Sequence, residues 1–502
     1  MKSNAKFSSG LIGKSLFEFE ISNVQNVCTI QYKEWIIWPL IKFNLYYKIL
    51  GDLEKSKSQI NQSKSKIRYF DVFVFIWSFF MIFFQKKRKY IVFPYDFEKI
   101  YVNDKNERVN VTFDEIVSVI GRDNVLYIER STNGNFSKDS KFKYDLNEDI
   151  LRAFIYLLNK VLRFFKRFKN KSVSLEETLE GFYREKFNYS GTDFNGFVEH
   201  IYYQFISEYF IYRLVYFLLS PKCIITSDQL CAGKIAAARK MNIIVYELQH
   251  GFIEEFKPDY VISNNLNIYK NNIPLPNHIL VYGDFFKEII MEHGFWADTD
   301  ITCIGKFRLS DMKKLSRNSN VSDYVRILFP TQWTKIEESK VILQYISDFK
   351  LNDGCKYYIK LHPVENEINI AWYMDFCTKN NNFFVLPMNV DIYSEICDSD
   401  LVLGFDSASL IESIALKKPV FSILDSHSGS SIISSISTNI INKYIKNSIL
   451  EISDLESLEK SINIFLSDSE FRIKWLKDIE LKCDLLYADN YSENINTLLK
   501  AN

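Results

Sequence analysis

The chain has 502 residues, 47% of them hydrophobic and 16% aromatic, which excludes a disordered protein and is too long for one ordinary core, so two or three domains are expected. Sixty-two Lys/Arg balance 62 Asp/Glu, a net charge of zero that argues against a general nucleic-acid binder, although residues 1–90 alone carry fifteen Lys/Arg against six Asp/Glu. Eight cysteines contain no CxxC pair, and the first twenty residues have no continuous apolar stretch, so neither a zinc site nor a signal peptide is expected and the location reads as cytoplasmic.

In chain order, residues 15–50 include EWIIWPLIKFNLYYKIL, a helix-like aromatic segment interrupted at Pro39, and 53–68 form a polar, Ser/Lys-rich connection. The apolar run 72–84 is shorter than the ~20 residues of a spanning helix. Lys86, Lys87, Arg88 and Lys89 follow it, and it reads either as a buried helix leading into a strand at 90–93 or as a peripheral helix against anionic lipid. Strand signals (VNVTF, VLYIE) alternate with polar loops over 101–146. Residues 149–219 repeat apolar positions at helical spacing, with Arg152, Lys160, Arg163, Lys166 and Arg167 on the first helix.

An α/β pattern then sets in. Strands are expected at 223–226, 243–248, 260–263, 279–282 and 301–304, with Asp228 as a helix N-cap and a helix at 284–293. Polar residues 308–324 mark a domain boundary. A second sheet follows: strand 325–329 breaks at Pro330-Thr331-Gln332, strand 357–361 stops at His362-Pro363, and strand 383–386 precedes strand 401–403. Asp406, Ser407 and Ser409 then open a helix carrying Glu412, and 419–424 is the next strand. Residues 425–447 read as a mobile loop, and helices at 454–466 and 470–486 close the chain. The expected architecture is α/β with two Rossmann-like domains facing a cleft, 69–310 (helical insertion 149–219) and 323–450, after a helical, membrane-proximal extension 1–68 and before terminal helices 451–502.

Ligands of such sheets sit beyond the carboxyl ends of the strands. In the second domain the hydroxyls of Ser407 and Ser409 and the N–H groups of their helix read as phosphate capture, with plain N-capping as the alternative. His362 is placed to donate to a phosphate oxygen and, when protonated, to ease departure of a nucleotide, and Glu412 to accept from ribose hydroxyls. Thr331, Gln332, Lys360, Pro363 and Asp406 share that edge. In the first domain His250, after a strand and before Gly251, is the candidate base for an acceptor hydroxyl, with Asp228, Glu247, Glu254 and Glu255 as rivals. Asp228, Gln249, Gly251 and Glu254 are the acceptor-side residues. Asp398-Ser399-Asp400 looks like a metal-binding DxD but reads as a solvated turn before a buried strand, so no metal is expected. GxGxxG, GxxxxGK[ST] and GxSxG are absent.

KLHP, ILFPTQW and SDLVLGFDSASLIESIALKKPV resemble the C-terminal domain of GT-B glycosyltransferases that build bacterial surface polymers, capsule and O-antigen included. Bacterial sialyltransferases, Kdo transferases and teichoic acid glycerophosphotransferases are the nearest in pattern, and ELQHG resembles a motif of the N-terminal domain of capsule and O-antigen transferases. The resemblance covers residues 220–425. It implies that His362 binds the donor phosphate and stabilises the leaving nucleotide, that Ser407 and Ser409 hold phosphate or ribose, and that Glu412 holds the ribose. The sialyltransferases' motif of two acidic residues and Gly is not found. The implied function is a metal-independent, inverting glycosyltransferase with no cofactor beyond its nucleotide-sugar co-substrate, CMP-linked favoured. Its acceptor is a glycan or lipid-linked glycan, nucleic acid is no partner, and the basic N-terminal region touches the inner face of the membrane. A UDP-GlcNAc 2-epimerase-like enzyme, which shares the fold and an HP turn, and a non-catalytic glycan-binding protein are the alternatives.

Overall fold

Most of the strands in this chain are short apolar runs, and those at the centres of the sheets are buried on both faces, as parallel sheets covered by helices require. The computed structural model describes residues 9–55, 82–94, 99–102, 108–110, 112–130, 145–165, 173–187, 196–227, 231–315, 324–332, 335–348, 354–362, 365–388, 390–405, 407–424 and 436–500. Among the described residues the first large sheet has seven strands: β1 (Tyr90–Phe93), β2 (Val125–Glu129), β3 (Leu146–Asn147), β4 (Cys223–Thr226), β5 (Ile244–Leu248), β6 (His278–Val281) and β7 (Ile301–Cys303). Their order is β7-β6-β5-β4-β1-β2-β3, every neighbouring pair parallel. The second, among the same residues, has six: β8 (Val325–Pro330), β9 (Cys355–Lys360), β10 (Phe383–Leu386), β11 (Leu401–Gly404), β12 (Val420–Ile423) and β13 (Ile449–Ile452). Their order is β10-β9-β8-β11-β12-β13, again all parallel. Each order reverses once, beside β1/β4 and beside β8/β11, which gives each sheet a topological switch point. The expected two-lobed, GT-B-like α/β architecture is present.

The segment after the second lobe returns to the first. Ala488 N–H donates to Tyr282 O (2.8 Å), and the Tyr282 and Tyr487 rings stack at 5.7 Å. Two glycines make room for it: a Cβ on Gly283 would lie 2.3 Å from Leu486 O, and one on Gly305 (φ +84°) 2.2 Å from Ala488 O. The last helix, Tyr491–Lys500, then lays Tyr491, Ile495 and Leu499 on the first sheet's smaller apolar cluster. That i, i+4, i+8 spacing puts all three on one face, each buried side chain contributing about 1.5–3 kcal/mol.

Several local expectations are corrected. Pro39 lies in the first turn of the helix Trp38–Lys55, where its missing N–H leaves no bond unmade, and the residues before it form the short strand Trp35–Ile36, so the helical part of the segment begins at the proline. Residues 260–263 form no strand: Val261 O accepts from Lys42 Nζ (2.8 Å) and Ser263 N–H donates to Glu20 Oε1 (2.6 Å). Side chains of the N-terminal helices stand where a neighbouring strand would be. Of VNVTF, Val109 and Asn110 lie in the strand Arg108–Asn110, and Asn110 Oδ1 then accepts from the Thr112 and Phe113 N–H groups (3.1 and 2.9 Å), which turns the chain into the helix Asp114–Ile120. The polar stretch 308–324 begins inside the helix Phe307–Leu315, and Thr438–Tyr444 is helical within the expected loop. The strand β13 and the helix Tyr491–Lys500 have no counterpart in the sequence reading. Of the runs 53–68 and 72–84 only 53–55 and 82–84 are described. No helix among the described residues is long and apolar enough to cross a membrane.

Candidate functional site

In the second lobe β8 stops at Pro330, and Thr331 joins the next loop to it. Its N–H donates to Lys360 O (2.9 Å), and its Oγ1 accepts from His362 N–H (2.9 Å). The backbone at His362 is thereby fixed at the carboxyl end of β9, with Gln332 half-buried beside it. His362 is itself half-buried, and burial, then the charge of Lys360, hold its imidazole below the usual histidine range. Lys360 is buried and donates to Met388 O (3.0 Å), so it braces the loop after β10. Burial lowers its pKa, with Glu395 and Asp391 opposing.

Beyond β11, Ser407 caps the helix Ala408–Ala415: its Oγ accepts from Ser409 N–H (3.3 Å) and lies 2.8 Å from Ser409 Oγ. Strands β9 and β11 flank β8, so the His362 and Ser407 loops stand two strand spacings apart, roughly 10 Å, across the switch point. Pro363 and Asp406 lie outside the described residues.

Glu412, on the inner face of that helix, meets the other lobe. Its Oε1 takes Lys306 Nζ at 2.6 Å and the Tyr393 hydroxyl at 3.1 Å. Lys306 follows Gly305 just beyond β7 and also stands 5.0 Å from the centre of the Tyr282 ring. Burial acts to lower the lysine's pKa but is outweighed by Glu412 and by Tyr393, Tyr282 and Tyr487, which hold it well above the usual range. Two residues on, Arg308 grips Asp391 Oδ2 with Nε (2.8 Å) and Nη2 (2.6 Å). The carboxyl edges of the two sheets therefore meet at a pair of ion pairs.

In the first lobe Gln249 is 1% exposed, and both ends of its amide are taken by protein: Oε1 accepts from Tyr282 N–H (2.9 Å) and Nε2 donates to Gly251 O (2.9 Å). It shapes the turn, and Gly251 (φ +67°) supplies the left-handed residue that turn needs. His250 N–H donates to the Tyr260 hydroxyl (3.0 Å). Glu254 is half-buried among Tyr46, Tyr47 and Lys257. Glu247 is buried in β5, Glu255 is half-buried with its pKa raised by burial and then by Glu292, and Asp228 lies outside the described residues. Through Gln249, Tyr282 and Lys306 a continuous run of contacts leads from the His250 turn to Glu412 and the Ser407 helix.

Asp400 Oδ2 accepts from Arg326 N–H (2.8 Å), so half of the DxD-like pair ties β8 to β11. Among the described residues no group of three or more His, Cys, Asp or Glu is placed to hold a metal ion. Sequence reasoning did not single out Lys306, Tyr393 or Asp259. Lys306 carried a faint signal, a Gly-Lys pair at a strand end. Asp259, next to Pro258, looks in the sequence like a solvated turn but is 3% exposed.

No family model matches the chain, and no characterised protein matches it in sequence. Solved structures similar to it include a glycosyltransferase from Rickettsia africae ESF-5 (14% identity, 83% of this chain and 98% of that chain, TM-score 0.46). The wall teichoic acid polymerase TagF with CDPG is another (14% identity, 83% and 89% covered, TM-score 0.45). A UDP-GlcNAc 2-epimerase from Neisseria meningitidis bound to UDP-GlcNAc is a third (12% identity, 82% and 99% covered, TM-score 0.49).

Proposed function

We propose that the protein is a metal-independent, inverting GT-B glycosyltransferase that moves a sugar from a nucleotide-activated donor, CMP-linked favoured, to a growing bacterial surface glycan. The observation that carries the reading is the gathering of Thr331, His362 and Ser407 around one topological switch point, opposite a lobe that presents His250 at a strand end. Residues 323–450 then serve as the donor domain and 69–310 as the acceptor domain.

The acceptor hydroxyl attacks the anomeric carbon on the face opposite the nucleotide. Its proton passes to His250 as the new C–O bond forms and the bond to the phosphate oxygen breaks. The charge left on the nucleotide phosphate falls to His362, the Ser407 and Ser409 hydroxyls and the N–H groups that open their helix. The test is a panel of CMP-, CDP-, UDP- and GDP-sugars incubated with the purified protein under mass detection. One donor class is expected to be hydrolysed or transferred. Interconversion of UDP-GlcNAc with its 2-epimer would assign an epimerase instead, and glycan affinity without turnover that survives loss of Ser407 and Ser409 would assign a binding protein.

A lipid-linked acceptor calls for a surface that meets lipid. The outward face of the helix Glu148–Phe164 exposes Tyr156, Leu157, Val161 and Phe164 (81%) among Arg152, Lys160 and Arg163, and no carboxylate follows Asp149 on it. Aromatic anchors among cations suit an anionic membrane surface. The protein is expected to sediment with vesicles containing anionic lipid in a salt-sensitive way, and the Lys160→Glu/Arg163→Glu variant to lose at least about tenfold in affinity. Equal binding to neutral vesicles would remove this assignment.

A further inference from the structure

Two polar stretches of the first lobe are nearly free of charge. Residues 21–32 (ISNVQNVCTIQY) carry none, and the 3₁₀ helix Asn264–Asn272 (NNLNIYKNN) carries only Lys270, which pairs with Asp300 and donates to Phe295 O (3.1 Å). Where the two stretches meet they enclose a cavity of about 360 Å³, within the range of small-ligand sites. Buried Ile36 and half-buried Cys28 are its apolar lining, and Gln25, Gln31, Tyr269 and Asn272 stand among its polar residues.

The helix Ala232–Lys240 holds both sides of this cavity. Its Arg239 donates to Ile273 O (2.7 Å), just past the 3₁₀ helix, and stands 5.4 Å from the centre of the Trp35 ring. Lys240 pairs with Glu34 (2.7 Å), and Asn272 Nδ2 crosses to Glu34 O (3.0 Å). The short strands Gln31–Tyr32 and Trp35–Ile36 pair with each other. The walls are therefore set before a ligand arrives, and binding need not order them. Their polar groups are uncommitted: among the described residues no hydrogen bond takes the Gln25 amide, the Gln31 amide or the Tyr269 hydroxyl.

Among the described residues no charged side chain lines the cavity, so it offers nothing to a phosphate, a nucleotide or an acidic polymer. Amides and the tyrosine hydroxyl both donate and accept, as sugar hydroxyls do, and an aromatic or apolar side chain takes the C–H face of a sugar ring. A peptide would call for a long strand edge or several apolar anchors, whereas these strands are two residues each. The place is remote from the cleft. Lys240 comes just before β5 and Ile273 just before β6, so the cavity lies by the amino ends of those strands. His250 stands beyond the other end of β5, a strand of five residues and roughly 16 Å. We propose that this cavity is a second glycan site, which takes a neutral stretch of oligosaccharide and keeps the polymer on the protein away from the cleft. It stands on its own lining and holds whether or not the cleft transfers a sugar.

The test uses the full-length protein in ligand-observed saturation-transfer NMR. The probes are maltohexaose, cellohexaose and chitohexaose, with a hyaluronan hexamer as the anionic comparator. At least one neutral hexamer is expected to bind, and Gln25→Ala/Gln31→Ala to weaken it by about fivefold or more through the loss of two hydrogen bonds. Both glutamines are exposed, so the variant is expected to keep the wild-type Tm. Hydrolysis of whichever donor turns over, which involves no glycan, is expected to stay within about twofold of wild type in that variant. Binding unchanged in the double variant would put the glycan elsewhere and overturns the site. Absence of binding by all three neutral hexamers overturns it as well, and so does tighter binding of the hyaluronan hexamer. A wild type inert toward every donor sinks the transferase reading alone, because the binding measurement does not depend on turnover.

Discussion

Replacing His362 with alanine is expected to lower kcat/KM for the nucleotide donor by about 10²–10³-fold while leaving the fold intact. The fold should survive because the bond that shapes this loop uses the backbone, His362 N–H to Thr331 Oγ1 at 2.9 Å, which alanine keeps. The rate should not, because the ring supplies what the backbone cannot. Burial and then Lys360 hold the imidazole below the usual range, so it is neutral at pH 7 in the free protein. An arriving phosphate adds negative charge beside it and raises that pKa. At any pH between the two values, donor binding must then take up a proton. Calorimetry in two buffers of different ionisation enthalpy should therefore show proton uptake on donor binding at pH 7 in the wild type and none in His362→Ala. His362→Gln, which keeps an N–H donor but cannot be protonated, should recover part of the binding and little of the uptake. Turnover of His362→Ala within about twofold of wild type would end the leaving-group role.

How far the sequence alone reaches follows from where its signals are local. Central strands such as CIIT and VLYIE announce themselves as apolar runs bounded by polar residues, and His250, His362 and Ser407 were singled out because each stands in the loop that follows such a run. Residues 260–263 failed for the opposite reason. They are apolar and buried, yet their backbone partners are Lys42 and Glu20, more than two hundred residues away, and no local pattern records a side chain standing in for a strand. The helix Tyr491–Lys500 was missed because the face that anchors it is only three residues wide and finds its partner on the first lobe. Glu412 was singled out as a ligand-facing residue, whereas its tie to Lys306 depends on how two lobes meet, which spacing along the chain does not encode. Sequence thus marks strand ends well and contacts between lobes poorly.

That tie sets the other large effect. Lys306→Met is expected to destabilise the protein by about 3–5 kcal/mol, because Glu412, its side chain only 6% exposed, would keep its charge with little more than the Tyr393 hydroxyl to answer it. The double variant Lys306→Met/Glu412→Gln removes both charges and should regain most of that loss, so a urea double-mutant cycle should return a coupling of at least about 2 kcal/mol. The pH window follows from the sign of the shift. The lysine's pKa is raised on folding, so its contribution is fully present below the unfolded lysine value of about 10.4 and is lost only as pH rises through the higher folded value. Across neutral pH the tie should be constant. Because Lys306 stands just past β7 and Glu412 lies in the helix that Ser407 opens, breaking the tie also loosens that helix from the first lobe. A rise in donor KM larger than any fall in kcat should accompany the loss of stability in Lys306→Met. A single variant as stable as wild type would mean that water, and not the lysine, answers the carboxylate, and that the other ties suffice to hold the two lobes: Arg308 on Asp391, Lys443 and Tyr444 on Glu288, and the returning C-terminal segment.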